Sequence, residues 1–404
     1  MKKLLLFVCA AITAISGNAQ STLIGKSFTV EQLKKNVVNK VVSTTNTNET
    51  ANLNNSIAKA PELNKLSGNY VEASFNEIYN CSEANITANG ENVQFSISSG
   101  SATFTGAYDA TSGIITVNQQ NAGTYTDARG TFTFEFVGLL ENAQTGQINV
   151  VNGATFTASD AGEISCNQKG YGIAISDFEP AVGSSYTKKD LVGKWWTLSW
   201  ETRFMPVNGT NECTANLYSE GYKDHKFNVS IEDYEYAVNV YGFCGLGCVA
   251  LDIDDELNVS ISAGQPIYVN PNVTTEEDIA TYGQYFYVVG CNIVGTSLIP
   301  DYNKVVPGKL SGNTITLSEY LLFRSRNDAE DMGYSLGAVA DGLTITLNDG
   351  NFLAAGTTGI EEIGVTREEK IKNTKTYNLM GQQVNRATAK GLLIRDGKKY
   401  IKKN

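Results

Sequence analysis

Four carboxylates crowd into five residues at Asp252-Ile-Asp254-Asp255-Glu256. On an extended strand side chains alternate between faces, so Asp252, Asp254 and Glu256 would line one face and offer oxygens to a hard cation such as Ca2+. The run lacks the glycine and the spaced ligands of an EF-hand loop, and a solvated acidic edge that resists strand pairing explains it with fewer assumptions. No other cofactor is expected. The three tryptophans are packed as densely, in Trp195-Trp196-Thr-Leu-Ser-Trp200. Alternation predicts Trp196, Leu198 and Trp200 on one face, as core, with Trp195, Thr197, Ser199 and Glu201 on the other. Trp195, and Tyr70 at the matching place of an earlier segment, are the candidate ligand-stacking aromatics.

Nucleophilic catalysis finds little to use. His225 is the single imidazole, in the charged run Lys223-Asp224-His225-Lys226, and any Ser-His-Asp or Cys-His site would depend on it. The chain has no Gly-x-Ser-x-Gly elbow, no His-Glu-x-x-His helix and no phosphate-cradling glycine loop leading into a helix. Two glycosidase carboxylates drawn from distant strands would leave no local spacing to read. The expectation is a protein that is not an enzyme, with no catalytic residues assigned.

Cys9 lies in an N-terminal apolar run, which leaves Cys81, Cys166, Cys213, Cys244, Cys248 and Cys291. An even count in an exported chain reads first as disulfides. Cys81 and Cys166 are the natural pair of the first half, and the other four allow three connectivities. Cys244-Gly-Leu-Gly-Cys248 has the wrong spacing for a C-x-x-C redox or zinc motif.

The elements that must position these residues follow from pattern. Met1-Lys-Lys, the apolar Leu4 to Ile15 and the small residues before Gln20 form a secretory signal peptide over 1–19. Residues 20–61 read as a linker with a short helix opened by Thr29 and Gln32. Beyond it the apolar period is two, with turn residues every 8 to 12 positions, the signature of an all-β fold of closed barrels. Leu66-Ser-Gly68-Asn-Tyr70 recurs as Leu191-Val-Gly193-Lys-Trp195, the Gly130 run as the Gly283 run, Gly146 as Gly308 and Gly170 as Gly333. That order predicts two related barrel modules, 62–182 and 187–350. Asn152-Gly153 predicts a tight hairpin, and Thr275 to Thr281 a short helix.

The chain's net charge of −11 is uneven: residues 360–404 hold 11 basic and 5 acidic residues, a net +6 that leaves −17 on the rest. An acidic body repels phosphate backbones, so nucleic acid is not an expected partner. No segment approaches the 18 uninterrupted apolar residues of a transmembrane helix.

The tail, 360–404, reads Tyr377-Asn-Leu-Met-Gly381-Gln-Gln-Val384, then Lys390-Gly391-Leu-Leu-Ile-Arg-Asp396-Gly397-Lys398-Lys399. Asp396-Gly397 between extended residues is a hairpin signal. The tail resembles the C-terminal sorting domain of the type IX (Por) secretion system, with Tyr377, Gly381, Gly391, Gly397, Lys398 and Lys399 on the motif. That resemblance implies export through the periplasm, recognition by the type IX machinery, and a cell-surface or extracellular destination. Gly193-Lys-Trp195, and more loosely Gly68-Asn-Tyr70, resemble the opening Gly-x-Trp of lipocalins and other calycins. That resemblance implies antiparallel barrels able to hold a small molecule or glycan. The expected role is binding such a ligand or a host macromolecule, with a structural or adhesive surface protein as the alternative and a polysaccharide or peptide hydrolase as the third.

Overall fold

The computed structural model describes residues 23–35, 60–97, 101–207, 211–217, 222–270, 273, 275–325, 335–348, 350–355 and, in the tail, 376–378, 383–384, 391–395 and 398–402. Residues 1–19, expected from the sequence to be a signal peptide, lie outside them. The chain is almost entirely antiparallel β-structure, arranged as a closed eight-strand barrel and a nearly closed nine-strand barrel. Among the described residues no helix is long and apolar enough to cross a membrane.

The first ring runs β2 (Gly68–Asn76), β3 (Ile78–Asn89), β4 (Asn92–Ile97), β5 (Ala102–Asp109), β6 (Ile114–Asn118), β10 (Gly153–Ala158), β11 (Ile164–Cys166) and β14 (Arg203–Pro206), which pairs back onto β2. A second sheet, β7 (Gln120–Asp127), β8 (Gly130–Glu141), β12 (Gly170–Pro180) and β13 (Trp195–Trp200), shares its core. Chain continuity from β6 to β7 and from β13 to β14 joins ring to sheet. Alternation decides the filling: Phe95, Phe104, Phe132, Phe134, Phe136, Phe156 and Phe204 all point into one aromatic cluster.

One joint between ring and sheet is made by a side chain. The Gln120 amide copies a peptide unit, accepting from the Thr105 N–H at 2.8 Å and donating to the Thr105 carbonyl at 2.7 Å. The second barrel repeats the device with Gln265, which accepts from the Ala250 N–H and donates to its carbonyl, both at 2.9 Å. Gln120→Ala leaves two strand groups unpaired and is expected to lower stability by about 1–2 kcal/mol, read as a lower urea midpoint with an unchanged m-value.

The second ring runs β15 (Glu212–Leu217), β16 (Tyr222–Asn228), β17 (Ser230–Tyr234), β18 (Ala237–Tyr241), β19 (Cys248–Ile253), β20 (Asn258–Ile261), β24 (Val306–Ser311), β25 (Thr314–Leu317) and β27 (Ser335–Thr346). Its open joint lies between β16 and β17, consecutive strands that do not pair. Branching from it are β21 (Gln265–Val269), β22 (Tyr285–Val294), β23 (Ser297–Asp301) and β26 (Leu321–Ser325). The core here is aliphatic, built on Val238, Val240, Leu251, Ile261, Leu310 and Ile345.

Pairing order makes the repeat explicit and corrects its register. The N-terminal half of β27 pairs with β26 as β13 pairs with β12, and its C-terminal half pairs with β25 and β15 as β14 pairs with β11 and β2. The strands of Trp195–Pro206 therefore close the first barrel instead of opening the second, and the modules run from about 68 to 206 and from 212 to 346. The Gly130 and Gly283 runs fall on equivalent strands, β8 and β22, whereas Gly146 lies in the turn before Ile148 and Gly308 on β24; Gly333, matched to Gly170, lies outside the described residues. The Leu-x-Gly-x-aromatic match joins β2 of the ring to β13 of the second sheet, both within the first module. Asn152-Gly153 is also not a hairpin: β9 (Ile148–Val151) pairs with β8 while β10 pairs with β6. Gly153, at φ +140°, carries the chain between the two sheets where a Cβ would meet the Val117 carbonyl at 2.2 Å.

Part of the expected linker is structural cover. β1 (Ser27–Phe28) pairs with β9, and α1 (Val30–Lys35) follows from the capping box in which the Thr29 N–H donates to Gln32 Oε1 and the Gln32 N–H to Thr29 Oγ1. Leu23 and Leu33 then pack on Val137, Leu139, Ile148 and Val150. In the second module Pro300 on β23 stands where Val150 donates to Lys26, and with no N–H to offer it ends the sheet. Two more helices are short: α2 (Lys188–Leu191), which the sequence reading missed and which a Thr187/Asp190 capping box opens, and α3 (Glu276–Tyr282), where a helix was expected, capped by Thr275. In the tail β28 (Thr376–Asn378) pairs with β29 (Gln383–Val384) and β30 (Gly391–Arg395), and β30 pairs with β31 (Lys398–Lys402) with Arg395 opposite Lys398.

Candidate functional site

The two aromatics singled out for ligand stacking are buried. Trp195 is 1% exposed and Tyr70 3%. The cause at Trp195 is a β-bulge opposite Ile173/Ala174 that breaks the predicted alternation. It sends Trp196 into the aromatic interior and leaves Trp195 and Trp200 together outside, against Val137, Leu139 and Ala174. Gly172 makes the room, since a Cβ there would meet the Trp195 ring at 2.5 Å. Tyr70 instead ties the barrel together, its hydroxyl donating to the carbonyls of Leu66 and Gly162, both at 3.1 Å.

The acidic run does not form a strand face either. β19 stops at Ile253, and the chain turns through Asp254 to Leu257, whose φ is +63°. Asp254 is committed to that turn: it accepts from the Glu256 and Asn258 N–H groups and from Asn258 Nδ2, each at 2.9 Å. The Asn258 amide bond, the largest cause, keeps its carboxyl below the usual range. Among the described residues no group of three or more potential ligands could hold a metal ion. His225 lies on β16 opposite Ala215.

What sequence reasoning missed is a carboxyl inside the first barrel. Glu72 shares the inward face of β2 with Tyr70, and its Oε1 accepts from Tyr171 Oη and Ser199 Oγ, both at 2.5 Å, with Ser82 Oγ 3.4 Å from Oε2. Burial raises its pKa, against the opposing pull of those hydroxyls. A folded-state pKa above the unfolded value means that the native state holds the proton more tightly, so stability falls as pH rises above 4.5 and through the folded value. Glu72→Gln is expected to match wild type at pH 4 within about 1 kcal/mol and to lose this slope, which urea titrations across pH 4–8 would read.

A second polar cluster joins the barrels. Arg203, on β14, bonds Glu163 through Nε at 2.6 Å and Nη2 at 2.9 Å, and reaches Glu232 of β17 at 2.9 Å. Glu232 also accepts from the hydroxyls of Tyr241 at 2.8 Å and Tyr234 at 3.1 Å. Burial would raise the Glu232 pKa, and the Arg203 bond and charge reverse this to a net lowering. Around it Val71, Ala73, Met205 and Val207 pack on Tyr241, with Tyr79, Cys81 and Cys248 at the margin. Backbone pairing continues the joint, with Asn80 opposite Gly247 and the Cys81 N–H donating to the Leu246 carbonyl at 3.0 Å.

The cysteines fall differently from the expected first-half pair. All six are thiols in this structure. Cys81 lies at the joint beside Cys248, and Cys213 faces Cys244 inside the second barrel. Comparison with family models, curated proteins and solved structures finds no match.

Proposed function

We propose that the chain is an exported, non-catalytic surface protein that acts through the outside of two solid barrels, binding a glycan or a host macromolecule or serving as an adhesive spacer. The observation that carries this reading is the filling of the first barrel. Phe95, Phe104, Phe136, Phe156, Tyr171 and Phe204 interlock with ring centroids 4.4 to 6.4 Å apart, and each is at most 1% exposed. A calyx that carries a small molecule needs those positions hollow or lined by movable polar groups. Glu72 is enclosed there by the hydroxyls of Tyr171, Ser199 and Ser82, a satisfied buried cluster, which supports a structural role for it. The signal peptide and the type IX-like tail supply the route, to the cell surface or medium through the periplasm, and the tail's partner is the type IX machinery.

Incubation of purified protein with fatty acids and apolar dyes is expected to leave no retained compound and no thermal shift, while glycan or host-protein arrays register binding at the surface or none. Retention of a small apolar ligand at one per chain would sink the solid-barrel reading. The address is tested separately by truncation after Gly359: loss of surface delivery is expected, and normal delivery counts against the sorting assignment.

A further inference from the structure

The hairpin from β7 to β8 sets hydrogen-bond donors and an acceptor beside an exposed aromatic ring. Ala128 and Arg129 form its turn, and the Ala181 N–H holds that turn by donating to the Arg129 carbonyl at 3.0 Å. Asp127 accepts from Arg129 Nε at 2.9 Å, from Nη2 at 2.5 Å and from the Arg129 backbone N–H at 2.8 Å. The guanidinium Cζ lies 4.8 Å from the centre of the Phe132 ring and 5.6 Å from that of Trp196, so the carboxylate and the two rings together fix its position. Of the five N–H groups on an arginine side chain, Nε and one on Nη2 are used; the pair on Nη1 and the second on Nη2 meet no acceptor among the described residues. Tyr125 stands opposite Phe132 and shares its inward face, yet it is 38% exposed, which places it at the rim. The centre of the Trp196 ring lies 5.2 Å from its own. The Trp196 indole N–H is buried without an acceptor. Phenylalanine would not carry that cost, which the broader, more electron-rich indole offsets by seating the cation.

We propose that this rim binds one neutral sugar unit of a glycan, which stacks on Tyr125 and sets neighbouring hydroxyls against Arg129 and Asp127. The inference rests on the proposed surface-binding role and gives it a place and a ligand class. A pyranose presents C–H groups from one face, which suit the negative face of an aromatic ring, and hydroxyls around its edge that both donate and accept. Arg129 supplies donors and Asp127 an acceptor side by side. The Arg129 bond, the largest cause, holds the Asp127 carboxyl below its usual range and so ionised. The pair carries no net charge, and the chain outside its basic tail is acidic, so sulfated or uronic sugars gain no electrostatic advantage. An apolar ligand would strip water from the unused N–H groups and the carboxylate without replacing those bonds. The second module holds a different group there. At the place of Tyr125 it carries Asn270, 1% exposed, which donates to the Gly283 carbonyl at 3.1 Å. The site therefore belongs to the first module alone.

The test uses the full mature chain with maltohexaose, cellohexaose, mannohexaose and xylohexaose, and with a galacturonic acid hexamer and a heparin hexasaccharide as acidic counterparts. Saturation-transfer NMR is expected to show at least one neutral oligosaccharide bound, with a Kd of about 1 mM, the scale set by contacts to a single sugar ring. Tyr125→Ala is expected to weaken that binding about tenfold, whereas Tyr125→Phe, which keeps the ring, holds it within about twofold. Hydrogen exchange on wild-type protein needs no substitution: saturating saccharide is expected to slow the Ala128 amide and to leave the Asn270 amide unchanged. Binding of none of the neutral oligosaccharides, tighter binding of either acidic one, full binding by Tyr125→Ala, or an Ala128 amide indifferent to saccharide would each overturn the site. Any of these leaves standing a surface protein that binds elsewhere or serves as a spacer, a reading that falls instead to an apolar ligand retained inside the barrel.

Discussion

Arg203→Met is expected to destabilise the protein by about 3 kcal/mol at pH 7, a larger loss than removing either glutamate. The guanidinium holds two carboxylates, Glu163 within its own barrel and Glu232 across the joint. The three side chains are 24–28% exposed, so solvent screens part of their charge and the loss falls at the low end of that for a fully buried pair. Methionine leaves Glu232 among Tyr234, Asn239 and Tyr241 without a cation. Its pKa is depressed in the wild type, so the stabilisation is present above the unfolded value of 4.5 and is lost as pH falls through the folded value. The gap between wild type and variant should therefore shrink in acid, where the abandoned Glu232 carboxyl takes up a proton. Urea titrations at pH 7 and pH 3.5 measure both limits, and a gap that stays constant with pH would reject the electrostatic account. A double-mutant cycle with Glu232→Gln isolates the bond between barrels, with a coupling of about 1–2 kcal/mol expected.

The β-class, the alternation of Phe132, Phe134 and Phe136, the Thr29 and Thr275 caps and the existence of two modules were all legible in the sequence, because each rests on local period or local capping chemistry. The module boundary was not. Leu191-Val-Gly193-Lys-Trp195 resembles Leu66-Ser-Gly68-Asn-Tyr70 because both sequences enter a barrel strand from a turn, and any strand of the barrel can share that wording. Which strand it is depends on pairing across more than a hundred residues, as between β14 and β2. The buried roles of Trp195 and Tyr70 were hidden for two different reasons. A bulge opposite Ile173/Ala174 shifts alternation by one residue without a local mark, and nothing in Gly68-Asn-Tyr70 says that Gly162 will be near enough to accept a hydrogen bond. Glu72 was invisible because a lone carboxylate on a strand normally faces water; only Tyr171 and Ser199, about a hundred residues on, make its burial tolerable.

Gly138→Ala is expected to cost about 3–5 kcal/mol, while the same change at Gly290 costs about 1 kcal/mol. The two glycines are equivalent. Gly138 pairs with Val151 and Tyr171, and Gly290 with Asp301 and Leu321, the matching places on β8 and β22. Their surroundings differ. A Cβ at Gly138 would lie 1.8 Å from the carbonyl oxygen of Gly153, where the chain crosses from sheet to barrel, so backbone must move. Gly153 cannot retreat, because the Val117 carbonyl closes on its other side. At Gly290 the nearest atoms are side-chain carbons, the Lys304 Cβ at 3.0 Å and, at 3.1 Å, the Lys304 Cγ and Val306 Cγ2, which need give way by only a few tenths of an ångström. Equilibrium urea unfolding of the two variants compares them directly. Equal losses would mean that the crossing at Gly153 adapts as readily as a lysine side chain, and that the two modules are bound by the same tolerance after all.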